Sequence, residues 1–367
     1  MASKILSEGF TFDDVLIRPA ASAMEPAEAS LKTSIAGINF SVPFLSAAMD
    51  RVTEVPMAIA LGNLGGLGVL HRNCSVEEQA RMVKEVKSAG GGPASGGKAI
   101  RVGAACGPFA SDRAQALDEA GCDFIVIDCA HGHNLNVVAS AKKIKKSLKH
   151  AKMIFGNIAT AEAAKEACKF ADAVKVGVGP GSICTTRIIS GVGVPQLSAI
   201  LEVVSVASKR GVPVIADGGI RTSGDIAKAL AAGASAVMLG NLLAGTDETP
   251  GRIVDSHGKP AEGGSSSGGK YKEYRGMGSK SVIESAAGKE RYFTHGRKAV
   301  PEGVEALVPY KGPVADVVAT LISGIQVGMG YVGARNLKEF HKKAKFTRIT
   351  NASITEGKPH SLAGIIE

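Results

Sequence analysis

The chain is expected to fold as an α/β protein, a closed (β/α)8 TIM barrel with a long insertion between the eighth strand and the last helix. Three observations lead there. Short apolar, β-branched runs alternate with helix-like segments from residue 42 to 240. Each run ends in glycine, aspartate or asparagine, residues suited to the turn from strand to helix. The 367 residues include 46 glycines but only 4% aromatics and no tryptophan, a composition that suits many tight turns.

The first two strands are expected near 43–47, ending in Ala47-Ala48-Met49-Asp50, and near 66–70. The third is expected near 100–104, and the fourth, near 123–128, leads into Asp128-Cys129-Ala130-His131-Gly132-His133. Strands near 152–156 and 172–176 precede Gly156-Asn157 and the run Gly177 to Arg187. The last two, near 213–217 and 235–239, end in Asp217-Gly218-Gly219 and Gly240-Asn241, and a final helix is expected near 313–326. A closed barrel explains eight such units better than an open sheet.

Two segments interrupt this rhythm, Gly90 to Gly97 and Gly263 to Gly269, both rich in glycine and serine. The reading is one domain over 1–367, with a short linker at 90–98 and a mobile flap over the barrel mouth at 250–312. The net charge of +9 favours anionic small substrates, because no interleaved-aromatic nucleic-acid motif accompanies it. Lys142, Lys143, Lys145, Lys146 and Lys149 read as a solvated helix face. Six cysteines without CxxC or zinc spacing are expected as reduced thiols, inert and buried except for one. The N-terminus has no apolar signal core and no apolar run is expected to reach the length that spans a bilayer, so a soluble, cytoplasmic protein without a membrane partner is expected.

Barrel enzymes build their sites from the loops after each strand. The exceptional cysteine is Cys184, in Gly179-Pro180-Gly181-Ser182-Ile183-Cys184-Thr185-Thr186-Arg187. Exposed amides of a glycine-rich loop stabilise a thiolate, which points to a nucleophile. The glycines after strands seven and eight suit a phosphate, while Asp217 either caps a helix or binds a ribose hydroxyl. Asp128 is an acceptor for ribose hydroxyls or a turn cap, and His131 with His133 suits cofactor contact or loop structure better than a metal. Two P-loop-like runs, Gly92 to Lys98 and Gly264 to Lys270, lack the Ser or Thr that a nucleotide-bound metal needs.

Together with Phe10 to Leu16, Tyr274 to Ser279, Arg291-Tyr292-Phe293 and Val300 to Gly303, the cysteine loop resembles the inosine-5′-monophosphate dehydrogenase family, and the likeness runs to the tail near His360. The resemblance implies that Cys184 attacks the purine carbon between the two ring nitrogens of inosine monophosphate. Hydride then leaves to NAD, and the flap's Arg291 and Tyr292, assisted by Thr186 and Glu302, hydrolyse the thioimidate. It also implies that Ser182, Asp217, Gly219, Gly240 and Tyr274 hold the ribose phosphate, and that Met277, Gly278 and Glu302 hold the base. Ala47, Asn157, Gly218, Asn241 and Gly276 complete the implied substrate site. Asp128, Ala130, His131, Gly177 and Gly179 are implied to meet NAD. Carbonyls of Gly179, Gly181 and Cys184 are implied to bind potassium, with Glu356, Gly357 and Lys358 from a neighbouring copy in a homotetramer.

Three departures accompany the likeness. Only the 90–98 linker stands where regulatory CBS modules usually sit, Asn241 replaces the usual serine or glycine, and Asp255 to Gly269 extends the approach to the flap. The related alternative is an NADPH-dependent guanosine monophosphate reductase, which lacks the Arg-Tyr element. An alternative of another class is a non-catalytic nucleotide- or nucleic-acid-binding barrel, suggested by the basic charge.

Overall fold

The computed structural model describes residues 4–92, 97, 99–260, 269–284, 300–359 and 361. Eight parallel strands close into a barrel. They are β1 (Phe44–Ser46), β2 (Leu67–Leu70), β3 (Val102–Cys106), β4 (Phe124–Asp128), β5 (Lys152–Ile158), β6 (Ala173–Val176), β7 (Val214–Asp217) and β8 (Ala236–Leu239). Each pairs with its neighbour in the chain, and β8 closes the ring on β1 through Val237 opposite Phe44. β3 starts later than its sequence pattern suggests, at Val102, and β5 runs on to Ile158 with a register shift between Gly156 and Ile158.

Alternation along the strands separates two cores. Inward-facing Leu45, Leu67, Val126, Ile154, Ile215 and Met238 fill the barrel. Their outward neighbours join the layer between strands and helices. An antiparallel hairpin, Thr33–Ile35 with Ile38–Phe40, plugs the N-terminal end. Its Ile35 and Phe40 pack into the inner core, and Thr33 Oγ1 donates to the Ser235 carbonyl just ahead of β8 (2.7 Å). With that floor filled, the C-terminal mouth is where the barrel has room for a ligand.

Several barrel helices begin where a short polar side chain caps the first turn. Ser75 accepts from Glu78 N before α1 (Val76–Ser88), Asn134 from Asn136 N before α2 (Leu135–Ser147), Thr160 from Ala163 N before α3 (Ala161–Ala167) and Thr222 from Asp225 N before α4 (Ser223–Ala231). Each such cap contributes about 1 kcal/mol. On α2, Lys143, Lys146 and Lys149 are exposed beside or beyond its end, whereas Lys142 and Lys145 reach Glu166 and Asp172 of the next βα unit.

Part of the insertion is regular. β9 (Tyr271–Arg275) and β10 (Glu305–Pro309) form an antiparallel ladder of five residue pairs, so the expected flap is rooted in a two-stranded stem. The last barrel helix, α5 (Val314–Val332), corrects one expectation: by length and mean hydropathy (1.3) it is apolar enough to cross a membrane. Here its Val318, Leu321, Ile325 and Met329 are buried in the outer core, and it packs against α4. Its high hydropathy comes from valine, leucine, isoleucine, methionine and alanine, but Thr320, Ser323, Gln326 and three glycines break the apolar run in the sequence, so it is not seen as one stretch.

Candidate active site

Among the described residues the mouth holds a cleft, into which six of the eight strand ends or the loops after them project. The cysteine loop after β6 crosses its centre. Gly177, at φ +148°, begins that loop, and a Cβ there would stand 2.0 Å from the Asp217 carbonyl oxygen. Only glycine lets the loop pass so close to β7. Arg187 then ties the loop's two ends together, donating from Nε to the Val178 carbonyl (3.2 Å) and from a terminal nitrogen to the Val194 carbonyl (2.6 Å).

Cys184 lies half-buried in the cleft, and its Sγ donates to Thr186 Oγ1 (3.2 Å). Thr186 Oγ1 donates in turn to Glu302 Oε2 (2.7 Å). The flap delivers Glu302 by running antiparallel to the cysteine loop. Thr185 N donates to the Glu302 carbonyl (2.9 Å), Val304 N to the Ile183 carbonyl (3.1 Å), and Cys184 pairs with Gly303 as a β-bridge. A thiol, a hydroxyl and a carboxylate thus form one continuous proton-transfer line, the arrangement that activates a nucleophile.

Around this line stand the other expected residues. Ser182, Asp217, Gly218, Gly219, Gly240 and Asn241 line one side. Ala47 and Tyr274 join them. Tyr274 is 5% exposed, its hydroxyl lies 3.8 Å from Met49 Sδ, and burial pushes its pKa up to about 12, so it stays a neutral donor. A Cβ on Gly240 would come within 2.9 Å of that hydroxyl. Gly276, Met277 and Gly278 follow β9 at the rim, next to Glu302, whose N donates to the Gly278 carbonyl (3.0 Å). Asp128, Ala130, Asn157, Gly177, Gly179 and Gly181 complete the wall.

His131 sits in the turn before α2, exposed and away from the cleft lining. Glu356, Gly357 and Lys358 close the terminal helix Asn351–Glu356, also off the cleft of their own chain. Arg291 and Tyr292 lie outside the described residues, as do most of the 90–98 linker and the Asp255 to Gly269 extension's second half. One expectation about the thiols is corrected: Cys106 and Cys122 are buried, but Cys74, Cys129 and Cys168 are half-buried, and Cys129 lines the cleft. The loop after β4 turns into the mouth at Cys129, where Sγ donates to the Gly156 carbonyl (3.3 Å).

Sequence reasoning missed Lys175. This β6 lysine is 3% exposed, and Nζ donates to Asp217 Oδ2 (2.5 Å), to Asp128 Oδ1 (3.2 Å) and to Asn157 Oδ1. Burial alone would lower its pKa, but the charges and hydrogen bonds of Asp217 and Asp128 outweigh that and raise it, so the ammonium is retained. A second buried group, Asp50 with Arg275 and Asn73, clasps the loop after β1 to β9; Asn73 Nδ2 lies 2.7 Å from Asp50 Oδ2. The signal for Lys175 was its position in Ala173-Val174-Lys175-Val176, where alternation places it inside the barrel with Ala173.

A plugged βα barrel with a thiol relay and glycine-lined strand ends at its open mouth defines a barrel enzyme. Comparison narrows the class. The chain matches the family described as "IMP dehydrogenase / GMP reductase domain" over residues 9–360. It is 41% identical to the inosine-5′-monophosphate dehydrogenase of Methanocaldococcus jannaschii, covering 97% of this chain and 95% of that protein. The same-named protein of Cryptosporidium parvum is 42% identical (99% and 97% covered), and that of Borreliella burgdorferi 39% (100% of both). The chain therefore belongs to the IMP dehydrogenase/GMP reductase family.

Proposed function

We propose that this enzyme oxidises inosine 5′-monophosphate to xanthosine 5′-monophosphate with NAD, through a covalent thioimidate on Cys184, in guanine nucleotide synthesis. The observation that carries this reading is the line Cys184 Sγ, Thr186 Oγ1, Glu302 Oε2, set at the mouth among the expected substrate residues. The dehydrogenase name of the relatives quoted above supports it.

The chemistry follows from that line. Thr186 takes the thiol proton while passing its own to Glu302, and the thiolate adds to the purine carbon between the two ring nitrogens. Hydride departs from that carbon, leaving a thioimidate. Water then attacks the same carbon, its proton is removed by the flap, and the C–S bond breaks to release product and restore Cys184. Arg291 and Tyr292 of the flap are assigned to this second half. An arginine acts as a base only where its surroundings strongly disfavour the cation, so the flap must close over a dry site.

Bound NAD supplies the hydride acceptor. The residues fit it: Asp128 and Ala130 line the cleft wall beside the Cys184 loop, and a carboxylate there suits ribose hydroxyls. Potassium fits the turn of the cysteine loop, where the carbonyls of Gly179, Gly181 and Cys184 stand within six residues. The Gly181 carbonyl accepts from Cys184 N (3.1 Å) and keeps a second lone pair for a cation. Such an ion would stiffen the loop that carries the thiol.

The proposal includes a homotetramer in which Glu356, Gly357 and Lys358 of a neighbouring copy complete that cation site. Ile188 (83% exposed), Ile189 and Val192 flank the cysteine loop and form the apolar surface that such a neighbour would cover. The short linker at 90–98 in place of CBS modules and a cytoplasmic location, suited to six cysteines that form no disulfide with one another, belong to the same reading. The test is NADH formation from inosine monophosphate and NAD, with and without potassium, beside NADPH consumption with guanosine monophosphate. Potassium-dependent NADH supports the proposal; activity in the second reaction alone replaces it with the reductase.

A further inference from the structure

The inner face of a βα barrel is normally filled by branched apolar side chains. In this barrel the uppermost inward position of β6 carries a lysine instead. β5 is cut away to admit it: Gly156 is the residue paired with Lys175 across the two strands, and a Cβ there would stand 2.7 Å from Lys175 Cβ and 2.9 Å from its carbonyl oxygen. A buried ammonium survives only when well partnered, and its partners come from three strands: Asp128 at the end of β4, Asn157 in β5 and Asp217 at the end of β7. Asn157 closes the group by donating from Nδ2 to Asp217 Oδ2 (3.0 Å) and to the Gly177 carbonyl (2.7 Å).

The two carboxylates serve opposite ends of the cleft in the proposed reaction. Asp217 stands with the glycines assigned to the nucleotide substrate, whereas Asp128 stands with Ala130 on the side assigned to the cofactor. Both approach one nitrogen atom. Without it they would be two like charges in a poorly hydrated barrel top, where repulsion favours protonating one of them.

We infer that Lys175 is a positioning residue for the reaction: one buried cation ties the substrate-side carboxylate of Asp217 to the cofactor-side carboxylate of Asp128, setting both ribose sites together. Lys175 acts through these carboxylates and is given no role in bond making. Its removal weakens both reactants in parallel, which a local defect at either end does not do. The inference rests on the dehydrogenase reading above.

The test uses Lys175→Met in the full chain, with two readouts. One needs no turnover: inosine monophosphate protects Cys184 from iodoacetamide, and half-protection reports its affinity. The other is the KM for NAD. The expected result is a rise of about ten-fold or more in both, with a smaller change in kcat. Protection also weakens more steeply than in wild type as pH falls, since repulsion between the two carboxylates favours protonating one and a protonated carboxyl loses an acceptor site. The groups facing Lys175 in that titration are Asp128 and Asp217, with Asn157 neutral.

Unchanged protection and KM in a folded variant overturn the inference, and so does a defect confined to one reactant. If the methionine variant does not fold, Lys175→Arg keeps the cation with a differently shaped head, and smaller but still paired changes are expected; unpaired changes overturn the inference there too. Wild-type enzyme that makes NADH beside an unaffected Lys175→Met sinks this inference alone. Wild-type enzyme that makes none and is not protected sinks the dehydrogenase reading and this inference with it.

Discussion

Replacing Arg275 by methionine removes the guanidinium that clasps Asp50. Asp50 is 7% exposed and lies in the loop after β1; Arg275 ends β9, one residue beyond Tyr274 of the cleft. In the variant Asp50 retains Asn73 Nδ2 at 2.7 Å and the nearby charge of His71 but loses the guanidinium. Breaking a buried ion pair costs about 3–5 kcal/mol. Because Asn73 remains and the Arg275 side chain is 23% exposed, about 2–4 kcal/mol is the better expectation here. For a chain of this size that is a fall in melting temperature of roughly 3–5 °C.

The pH dependence gives a sharper signature. Burial pushes the Asp50 carboxyl up, but its bonds to Arg275 and Asn73 outweigh that and leave its pKa below the ordinary value. A depressed folded-state pKa contributes stability above the unfolded value, near pH 4, and that contribution is lost as pH falls through the folded value. Thermal melts of wild type and Arg275→Met should therefore differ most at neutral pH and converge below pH 4. Asp50→Asn combined with Arg275→Met should recover part of the loss, because the buried carboxylate is removed together with its guanidinium partner. Equal melting temperatures at pH 7, or a gap that persists at low pH, would refute the clasp.

Cys184→Ala should abolish NADH formation altogether, a loss checked by steady-state absorbance and by a single-turnover measurement. Arg291→Ala should keep a first-turnover burst of NADH while slowing turnover by about 100-fold or more, since only the hydrolytic half is affected; a lost burst would contradict the division of labour. Gly156→Ala should lower stability by about 1–3 kcal/mol, because its methyl group meets the Lys175 backbone; an unchanged melt would contradict the close approach. His71 is buried, which lowers its pKa, but bonds to Cys74 and Glu54 and the charge of Asp50 outweigh this and raise it to about 9. Its stabilising contribution is then full below about pH 6.5 and lost as pH rises through about 9, so the melting gap between wild type and His71→Gln should close over that window.

The barrel was legible because most inner and outer strand residues are apolar: a run such as Phe124 to Ile127 is buried on both faces and reads as a continuous apolar stretch. Its termini were less clear at β3, where Ile100 and Arg101 continue the pattern in sequence but precede the ladder, Arg101 turning to pair with Asp123. The cysteine loop was legible because glycines at tight contacts leave a trace in sequence. Lys175 left little trace, since one lysine in a strand normally faces solvent, and only ring closure and the gap at Gly156 turn it inward. The pairing of the flap's end with the cysteine loop was likewise hidden, because Val304 and Ile183 are 121 residues apart and nothing local links them.

The most direct test of the mechanism is to mix enzyme with radiolabelled inosine monophosphate and NAD, quench in acid within the first turnover, digest, and locate the label by mass spectrometry. The account predicts a nucleotide adduct on the peptide carrying Cys184, appearing with the NADH burst and accumulating in Arg291→Ala. NADH formed without any adduct, or an adduct on Cys129 or another residue instead, would contradict it.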